Sequence, residues 1–213
     1  VAKFTGFVFE LLAPLDERRN LEEYKKATIN AQFAQLVETG RGGENTNSSL
    51  LVVRDTSGSM TATANGCNVS SFNIAKSMAL YFSEFLTGTF AGTFAEFSHG
   101  CKLHKWKGDT PVDKYLNDHC GSYADTNFQS VIDMFIKIKE EGVPEEDFPS
   151  GILCISDGEF NRCGTNKLTN FQLAIKKLRD AGFSENYVSN FKIVLWDIPN
   201  NYYRRTSGVH FED

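Results

Sequence analysis

Short apolar runs that alternate with helical patterns constrain the fold of this chain more than any other feature. The runs at residues 50–53, 151–156 and 191–196 each have the length of a buried strand. The segments between them carry apolar residues at three- and four-residue spacing, which is typical of amphipathic helices. Because such alternation produces βαβ units, the sequence predicts an α/β fold in three layers, a doubly wound sheet with helices on both faces.

Four helices and one hairpin are predicted around these strands. The helices cover about residues 21–38, 70–86, 126–142 and 168–182, and glycine or proline ends the last two of them. The segments 92–98 and 101–106 are rich in aromatic and β-forming residues and are separated only by His99 and Gly100, so we expect an antiparallel hairpin. The predicted sheet is therefore mostly parallel, with one antiparallel edge strand.

Composition argues against several classes of function. Aspartate and glutamate (27) outnumber lysine and arginine (22), and the net charge of −5 gives no bulk attraction to nucleic acid or to an anionic membrane. No apolar run is long enough to span a bilayer, and the first residues lack the pattern of a secretory signal. The five cysteines are scattered without paired spacing, which favours a reduced, intracellular and cytoplasmic protein. Matches to the glycosylation pattern at Asn47 and Asn68 leave an extracellular setting as the alternative.

Oxygen-bearing side chains follow two of the predicted strands. Asp55, Ser57 and Ser59 alternate within the turn after the first strand, and Asp157 comes directly after the run that ends at residue 156. Thr126 lies in the loop before the helix that leads to this second strand. If the two strands are parallel neighbours, these residues meet at one edge of the sheet, where open α/β sheets bind ligands. Carboxylate and hydroxyl oxygens suit Mg²⁺ or a similar ion, so the sequence predicts a divalent cation site.

The combination Asp55-x-Ser57-x-Ser59, then Thr126, then Asp157 resembles the metal-ion-dependent adhesion site of von Willebrand factor A domains. The resemblance covers about residues 48–196 and implies the Rossmann-like fold of that family. It also implies that Ser57, Ser59 and Thr126 bind the ion directly or nearly so, while Asp55 and Asp157 act mainly through bound water. Asp125 stands where the family often has glycine, and either adds charge near the ion or caps the following helix.

The resemblance further implies a function. The expected ion is Mg²⁺, with Mn²⁺ or Ca²⁺ as alternatives, because few of the ligands are charged. Neutral hydroxyl ligands leave the charge of the ion incompletely cancelled, so it can attract a carboxylate from outside the domain. The expected function is a metal-dependent protein-binding module that captures an aspartate or glutamate of a partner, with no enzymatic activity.

Residues 125–133 and 155–160 are similar to an uncharacterised, intracellular group of von Willebrand A proteins related in layout to the Ro ribonucleoprotein (TROVE-related) family. This similarity implies two parts. Residues 1–44 are an N-terminal arm and helix, the junction with or remnant of a helical region, and residues 45–213 are the von Willebrand factor A domain without its last strand and helix. The alternative function is a component of a Ro-like ribonucleoprotein, in which a separate helical region holds RNA.

Other chemistry has weaker support in the sequence. Zinc would need ligands from a group of residues without paired spacing, namely His99, Cys101, His104, His119 and Cys120. Ser57 and Ser59 lie outside a GxSxG elbow, and Asp55 lacks the second carboxylate that phosphatases with a nucleophilic aspartate require. Trp106 lies among three lysines, which indicates either an RNA contact or an ordinary solvated edge strand.

Overall fold

A computed structural model of the chain describes residues 4–17, 21–42, 49–119, 127–158 and 169–199. These residues form a mixed α/β structure around one sheet of five strands in the order β3-β2-β1-β4-β5. The strands are β1 (Leu50–Asp55), β2 (Thr93–Phe97), β3 (Cys101–Lys105), β4 (Gly151–Ser156) and β5 (Lys192–Asp197).

The pairing of these strands confirms the predicted mostly parallel sheet. β1 lies between β2 and β4 and is parallel to both, and β4 is parallel to β5. β2 and β3 pair antiparallel, so the predicted hairpin forms and β3 is the antiparallel strand at one edge. The arrangement is consistent with a Rossmann-like fold.

Eight α-helices accompany the sheet in the described residues. Four correspond to the predicted helices: α3 (Glu23–Arg41), α4 (Ser71–Ser83), α6 (Gln129–Glu140) and α7 (Asn170–Asp180). The predicted start of α4 is confirmed, because the Ser70 hydroxyl accepts from the Asn73 N–H, although this helix ends at Ser83 rather than near residue 86. The glycine predicted to end α7, Gly182, has a φ of +78°. The other four are shorter and were not predicted as helices: α1 (Val8–Leu12), α2 (Pro14–Glu17), α5 (Pro111–Leu116) and α8 (Glu185–Asn190).

Apolar side chains are buried on both faces of the sheet. On β1, Val52 packs into a core with α4, while Leu51 and Val53 point to the opposite face and pack with α6 and α7. β4 alternates in the same way along its length, and all of its residues are buried. Helices therefore cover both faces, as the apolar runs of the sequence predict.

The N-terminal segment packs on α4. The side chains of Leu12 and Phe33 are almost completely buried, and the rings of Phe33 and Tyr81 meet edge to face with centroids 6.3 Å apart. The apolar arm predicted at the start of the chain is therefore helical in α1 and α2 and shares a core with the sheet. The predicted boundary near residue 44 and the short strand predicted near residues 209–211 lie outside the described residues.

Two observations bear on the environment of the protein. None of the described helices is long and apolar enough to cross a membrane. Cys67, Cys101 and Cys154 are free thiols, and burial raises the pKa of the Cys154 thiol well above its ordinary value. Cys120 and Cys163 lie outside the described residues.

Candidate functional site

The carboxyl ends of β1 and β4 meet where the strand order of the sheet reverses direction. From the central strand β1 the chain passes through α4 to β2 on one side, and later through α6 to β4 on the other side. Such a switch point opens a crevice at the carboxyl edge of a parallel sheet, which is where open α/β sheets bind ligands. Asp55 is the last residue of β1, and Asp157 directly follows β4.

The carboxylate of Asp55 is held from two sides. Its Oδ1 accepts a hydrogen bond from the backbone N–H of Ser57 at 2.8 Å, and its Oδ2 accepts one from the hydroxyl of Ser156 at 2.6 Å. The first bond closes a tight turn after β1, and the second ties β1 to the end of β4. Asp55 has no exposed surface, so these two donors fix its orientation inside the edge.

Two serine hydroxyls lie together in the turn that follows. The Oγ atoms of Ser57 and Ser59 are 3.1 Å apart. A short 3₁₀ helix, Gly58–Thr61, holds this spacing, and the buried side chain of Met60 anchors the helix in the core. Thr56, between Asp55 and Ser57, donates through its N–H to the carbonyl of Phe97 at 3.1 Å, which fixes the turn to the end of β2.

The electrostatics of this edge favour a cation. Burial raises the pKa of Asp55 from 3.8 to about 6, although the hydrogen bonds from Ser156 and Ser57 oppose the shift, and the negative charge of Asp157 adds to it. Asp157 is itself buried, with 7% of its surface exposed. The largest influences on the pKa of Asp55 are burial, hydrogen bonds and the charge of Asp157. Two buried carboxylates and two hydroxyls form a donor set that suits a hard divalent cation.

Four of the five predicted ligands lie within the described residues. Asp55, Ser57, Ser59 and Asp157 lie at the carboxyl ends of the neighbouring strands β1 and β4, as predicted, and we call this group the Asp55 edge. Thr126, the fifth predicted ligand, lies outside the described residues, as does Asp125. The next residue in the chain, Asn127, donates through its N–H to the carbonyl of Ser98 at 2.8 Å, beside the end of β2. Whether these residues bind a metal stays a prediction.

Ser156 is a residue of the site that sequence reasoning did not single out. Its hydroxyl donates to Asp55 and accepts from the N–H of Gly158 at 3.2 Å, so it also shapes the turn that carries Asp157. Partners of this kind orient the residues that contact a metal. The available signal was a hydroxyl residue at the end of a buried strand, directly before Asp157.

Arg54, the neighbour of Asp55 on β1, was also missed. Its side chain is completely buried, and its Nε donates to Glu96 at 3.0 Å while its Nη1 donates to Asp118 at 2.6 Å. The guanidinium carbon lies 4.4 Å from the centroid of the Phe94 ring, within the range of a cation–π contact. We call Arg54, Glu96 and Asp118 the Arg54 cluster. An arginine in an apolar strand requires such partners, but the sequence does not say which carboxylates provide them.

The alternatives raised by the sequence receive little geometric support. The described residues contain no group of three or more histidine, cysteine, aspartate or glutamate side chains placed to hold a metal ion. Cys101 packs with the core on the α6 face, whereas His104 stacks on Phe94 on the opposite face, so these two do not converge. Trp106 is buried against Phe94, with ring centroids 4.3 Å apart, which leaves its ring unavailable for stacking on a base.

A family model described as "Domain of unknown function (DUF7788)" matches residues 49–211, a range that begins just before β1 and includes the whole sheet. No curated protein matches the chain.

Proposed function

We propose that this chain, which belongs to the DUF7788 family of domains of unknown function, is a divalent-metal-dependent protein-binding module of the von Willebrand factor A type. The observation that carries the proposal is the meeting of Asp55 and Asp157 at the switch point of the sheet, beside the paired hydroxyls of Ser57 and Ser59. Switch points bind ligands in many α/β proteins, and this one carries hard oxygen donors.

The donor set fits a cation such as Mg²⁺, with Mn²⁺ and Ca²⁺ as alternatives. Ser57 and Ser59 would contribute hydroxyl oxygens, Asp55 and Asp157 would contribute the negative charge, and Thr126 is the further ligand that the sequence implies. A bound divalent cation would supply positive charge that attracts a carboxylate from a partner protein. The chain's own part is to hold Asp55 by the Ser57 N–H and the Ser156 hydroxyl, so that little reorganisation is needed when the cation binds.

Recognition accounts for this arrangement better than catalysis. Asp55 accepts two hydrogen bonds and has no exposed surface, so its carboxylate cannot reach a substrate as a nucleophile. The hydroxyls of Ser57 and Ser59 contact each other, and the turn that carries them contains no histidine that could act as a base. An ion held largely by neutral hydroxyls keeps its attraction for an external carboxylate, which is the property a binding module needs.

Magnesium binding can be tested by its effect on stability. With Mg²⁺ at about 100 times its dissociation constant, we expect the free energy of unfolding to rise by about 2.7 kcal/mol, because the folded chain alone binds the ion. Asp55→Ala and Asp157→Ala should each abolish this rise. Asp180→Ala is the matched control, because Asp180 is exposed and pairs with Lys176 on α7, so its variant should keep the rise.

Recognition is tested separately by affinity capture from the native source, with Mg²⁺ and with a chelator. We expect the chelator and Asp55→Ala to release the same partners, while Asp180→Ala captures them normally. Partners that stay bound in the chelator, or a chain whose stability is the same with and without Mg²⁺, would refute the proposed function.

A further inference from the structure

A cavity of about 430 Å³ opens beside the Asp55 edge, on the face of the sheet that carries Arg54. Lys102 and His104 lie directly opposite Glu96 and Phe94 in the antiparallel β2–β3 pair, so all four side chains are on that face. Three of the four histidines of the chain line the cavity, and the fourth, His210, lies outside the described residues. The polar part of the lining consists mainly of basic and hydroxyl side chains: His99, His104, His119, Lys102, Thr56 and Ser98.

The charge of this lining favours an anion. Among the described residues that line it, Glu96 is the one carboxylate, and it is already paired, because one of its oxygens accepts from Arg54 at 3.0 Å and the other lies 3.2 Å from Nε2 of His104. Hydrogen bonds from His104 and the charge of Arg54 keep the pKa of Glu96 below its ordinary value, even though burial alone would raise it. Lys102 adds a further positive charge at the exposed side of the cavity. A ligand that enters therefore meets an ammonium group and imidazole rings.

The rim of the cavity is held in place by the backbone. In the hairpin turn, the N–H of Ser98 donates to the carbonyl of Gly100 at 3.1 Å. Asn127 donates to the carbonyl of Ser98 at 2.8 Å and, through its side chain, to that of His99 at 3.4 Å. Behind the lining residue Glu96, the Arg54 cluster ties β1 to β2 and to the residues after α5. A rim whose backbone is held in this way loses little conformational freedom when a ligand binds.

We propose that this cavity binds the phosphate group of a phosphate monoester. Lysine is a common phosphate ligand because it acts as a point charge, and imidazole and hydroxyl groups add hydrogen-bond donors around several oxygens. The volume of about 430 Å³ is within the range of small-ligand sites and exceeds what one phosphate ion fills, so the ester group has room as well. The site is independent of the proposed metal site, although Thr56 borders both of them.

Histidine NMR can test the proposal with inorganic phosphate as the probe. The full chain carries a ¹³C label in its imidazole rings and is titrated with phosphate at constant ionic strength, in a buffer that contains a chelator. His99→Gln, His104→Gln and His119→Gln each remove one signal and thereby assign it. We expect saturable shifts of the His104 and His119 signals. If none of the three cavity histidines shows a saturable shift, the proposal is overturned.

Two lysines of β3 provide a matched pair of variants. Lys102 lines the cavity, whereas Lys105 is exposed on the same strand and, by the alternation of side chains, points to the opposite face. Lys102→Ala should weaken phosphate binding about tenfold, since it removes a charge-assisted contact, and Lys105→Ala should leave it unchanged. If both variants weakened phosphate binding equally, the binding would depend on general surface charge rather than on the cavity, and the proposal would be overturned.

Asp55→Ala separates this proposal from the metal site. With a chelator present, this variant and the unaltered chain should bind phosphate with the same affinity. This expectation holds whether or not Mg²⁺ stabilises the chain. Phosphate shifts that need Mg²⁺ or are lost in Asp55→Ala would show phosphate bound to the ion, and would overturn the cavity proposal. Competition between O-phosphoserine and adenosine monophosphate then identifies the source of the ester, a phosphorylated side chain or a nucleotide.

Discussion

Arg54 and Asp55 are neighbours on β1, both without exposed surface, yet their charges are treated in opposite ways. Arg54 contacts two carboxylates and an aromatic ring, so its positive charge is matched entirely within the protein. Asp55 receives hydrogen bonds from a backbone N–H and a hydroxyl, and burial raises its pKa to about 6 although these hydrogen bonds oppose the shift. Side chains of successive strand residues point to opposite faces, which is how one strand serves both environments.

This difference in charge pairing distinguishes a charge that stabilises the fold from a charge that is placed to bind a ligand. In the Arg54 cluster, each charge has a partner at hydrogen-bonding distance, which is the condition for a buried ion pair to be tolerated. At the Asp55 edge, the hydroxyls of Ser57 and Ser59 and the carboxylate of Asp157 add oxygen atoms rather than positive charge. The Arg54 cluster therefore fixes the end of β1, and the Asp55 edge is where we expect an added cation.

The largest effect is expected from removing the arginine. Arg54→Met leaves Glu96 and Asp118 buried without their common partner, which should lower the free energy of unfolding by about 3–5 kcal/mol. Asp55→Asn keeps the shape of the side chain and one acceptor for the Ser57 N–H, and it removes a buried charge that the raised pKa shows to be unfavourable in the folded state without metal. In a chelator at pH 7 we therefore expect no loss of stability. Urea unfolding of the two variants measures both values. Equal losses would mean that Asp55 is as structural as Arg54.

The dependence of stability on pH should have opposite signs at the two regions. Because the pKa of Asp55 is about 6 in the folded chain and 3.8 when unfolded, the folded state binds the proton first as the pH falls. Without metal, the free energy of unfolding should therefore gain about 1.3 kcal/mol from this group between pH 7 and pH 5. The pKa of Glu96 is lowered from 4.5, so its contribution is complete above pH 4.5 and is lost as the pH falls through its folded value.

Urea titrations at several pH values in a chelator check these signs. Asp55→Asn should remove the gain between pH 7 and pH 5 and leave the acid loss below pH 4.5. Saturating Mg²⁺ should also remove the gain, because a cation favours the ionised carboxylate. If the free energy of unfolding of Asp55→Asn still rose between pH 7 and pH 5, another group would be responsible for the rise. The two regions would then not differ in their electrostatics as described.

Sequence patterns captured the periodic parts of this fold. The four longer helices and the strands carry enough apolar repeats to be recognised, and the order of Asp55 and Asp157 after buried strands predicted that they would meet. α8 and the N-terminal helices are too short to show a repeat, and their stability comes from packing. α5 had a usable local signal, since Thr110 and Asp113 form a capping box and Pro111 is the first residue of the helix, but the helix has only six residues.

What the sequence could not provide is the identity of contacts across strands. Arg54 and Asp118 are separated by 64 residues, and Ser156 and Asp55 by 101, so their pairing depends on the register of the sheet. A motif predicts which residue types lie at an edge, whereas the register decides which of them touch. The two residues missed at this edge, Arg54 and Ser156, both act through such contacts.

The smallest loss of stability is expected from removing the hydroxyl of Ser156. This variant tests whether that hydroxyl serves the proposed metal site or only the packing of the strands. Ser156→Ala removes the donor to Oδ2 of Asp55, which should cost about 1 kcal/mol in a chelator and weaken Mg²⁺ binding about tenfold, because Asp55 is no longer held from the β4 side. Ser83→Ala is the control: Ser83 is equally buried and donates to the Leu80 carbonyl at 2.7 Å within α4. It should show a similar stability loss with unchanged Mg²⁺ affinity. If Ser156→Ala kept full Mg²⁺ affinity, its hydroxyl would only support the packing of β4, as the Arg54 cluster supports β1.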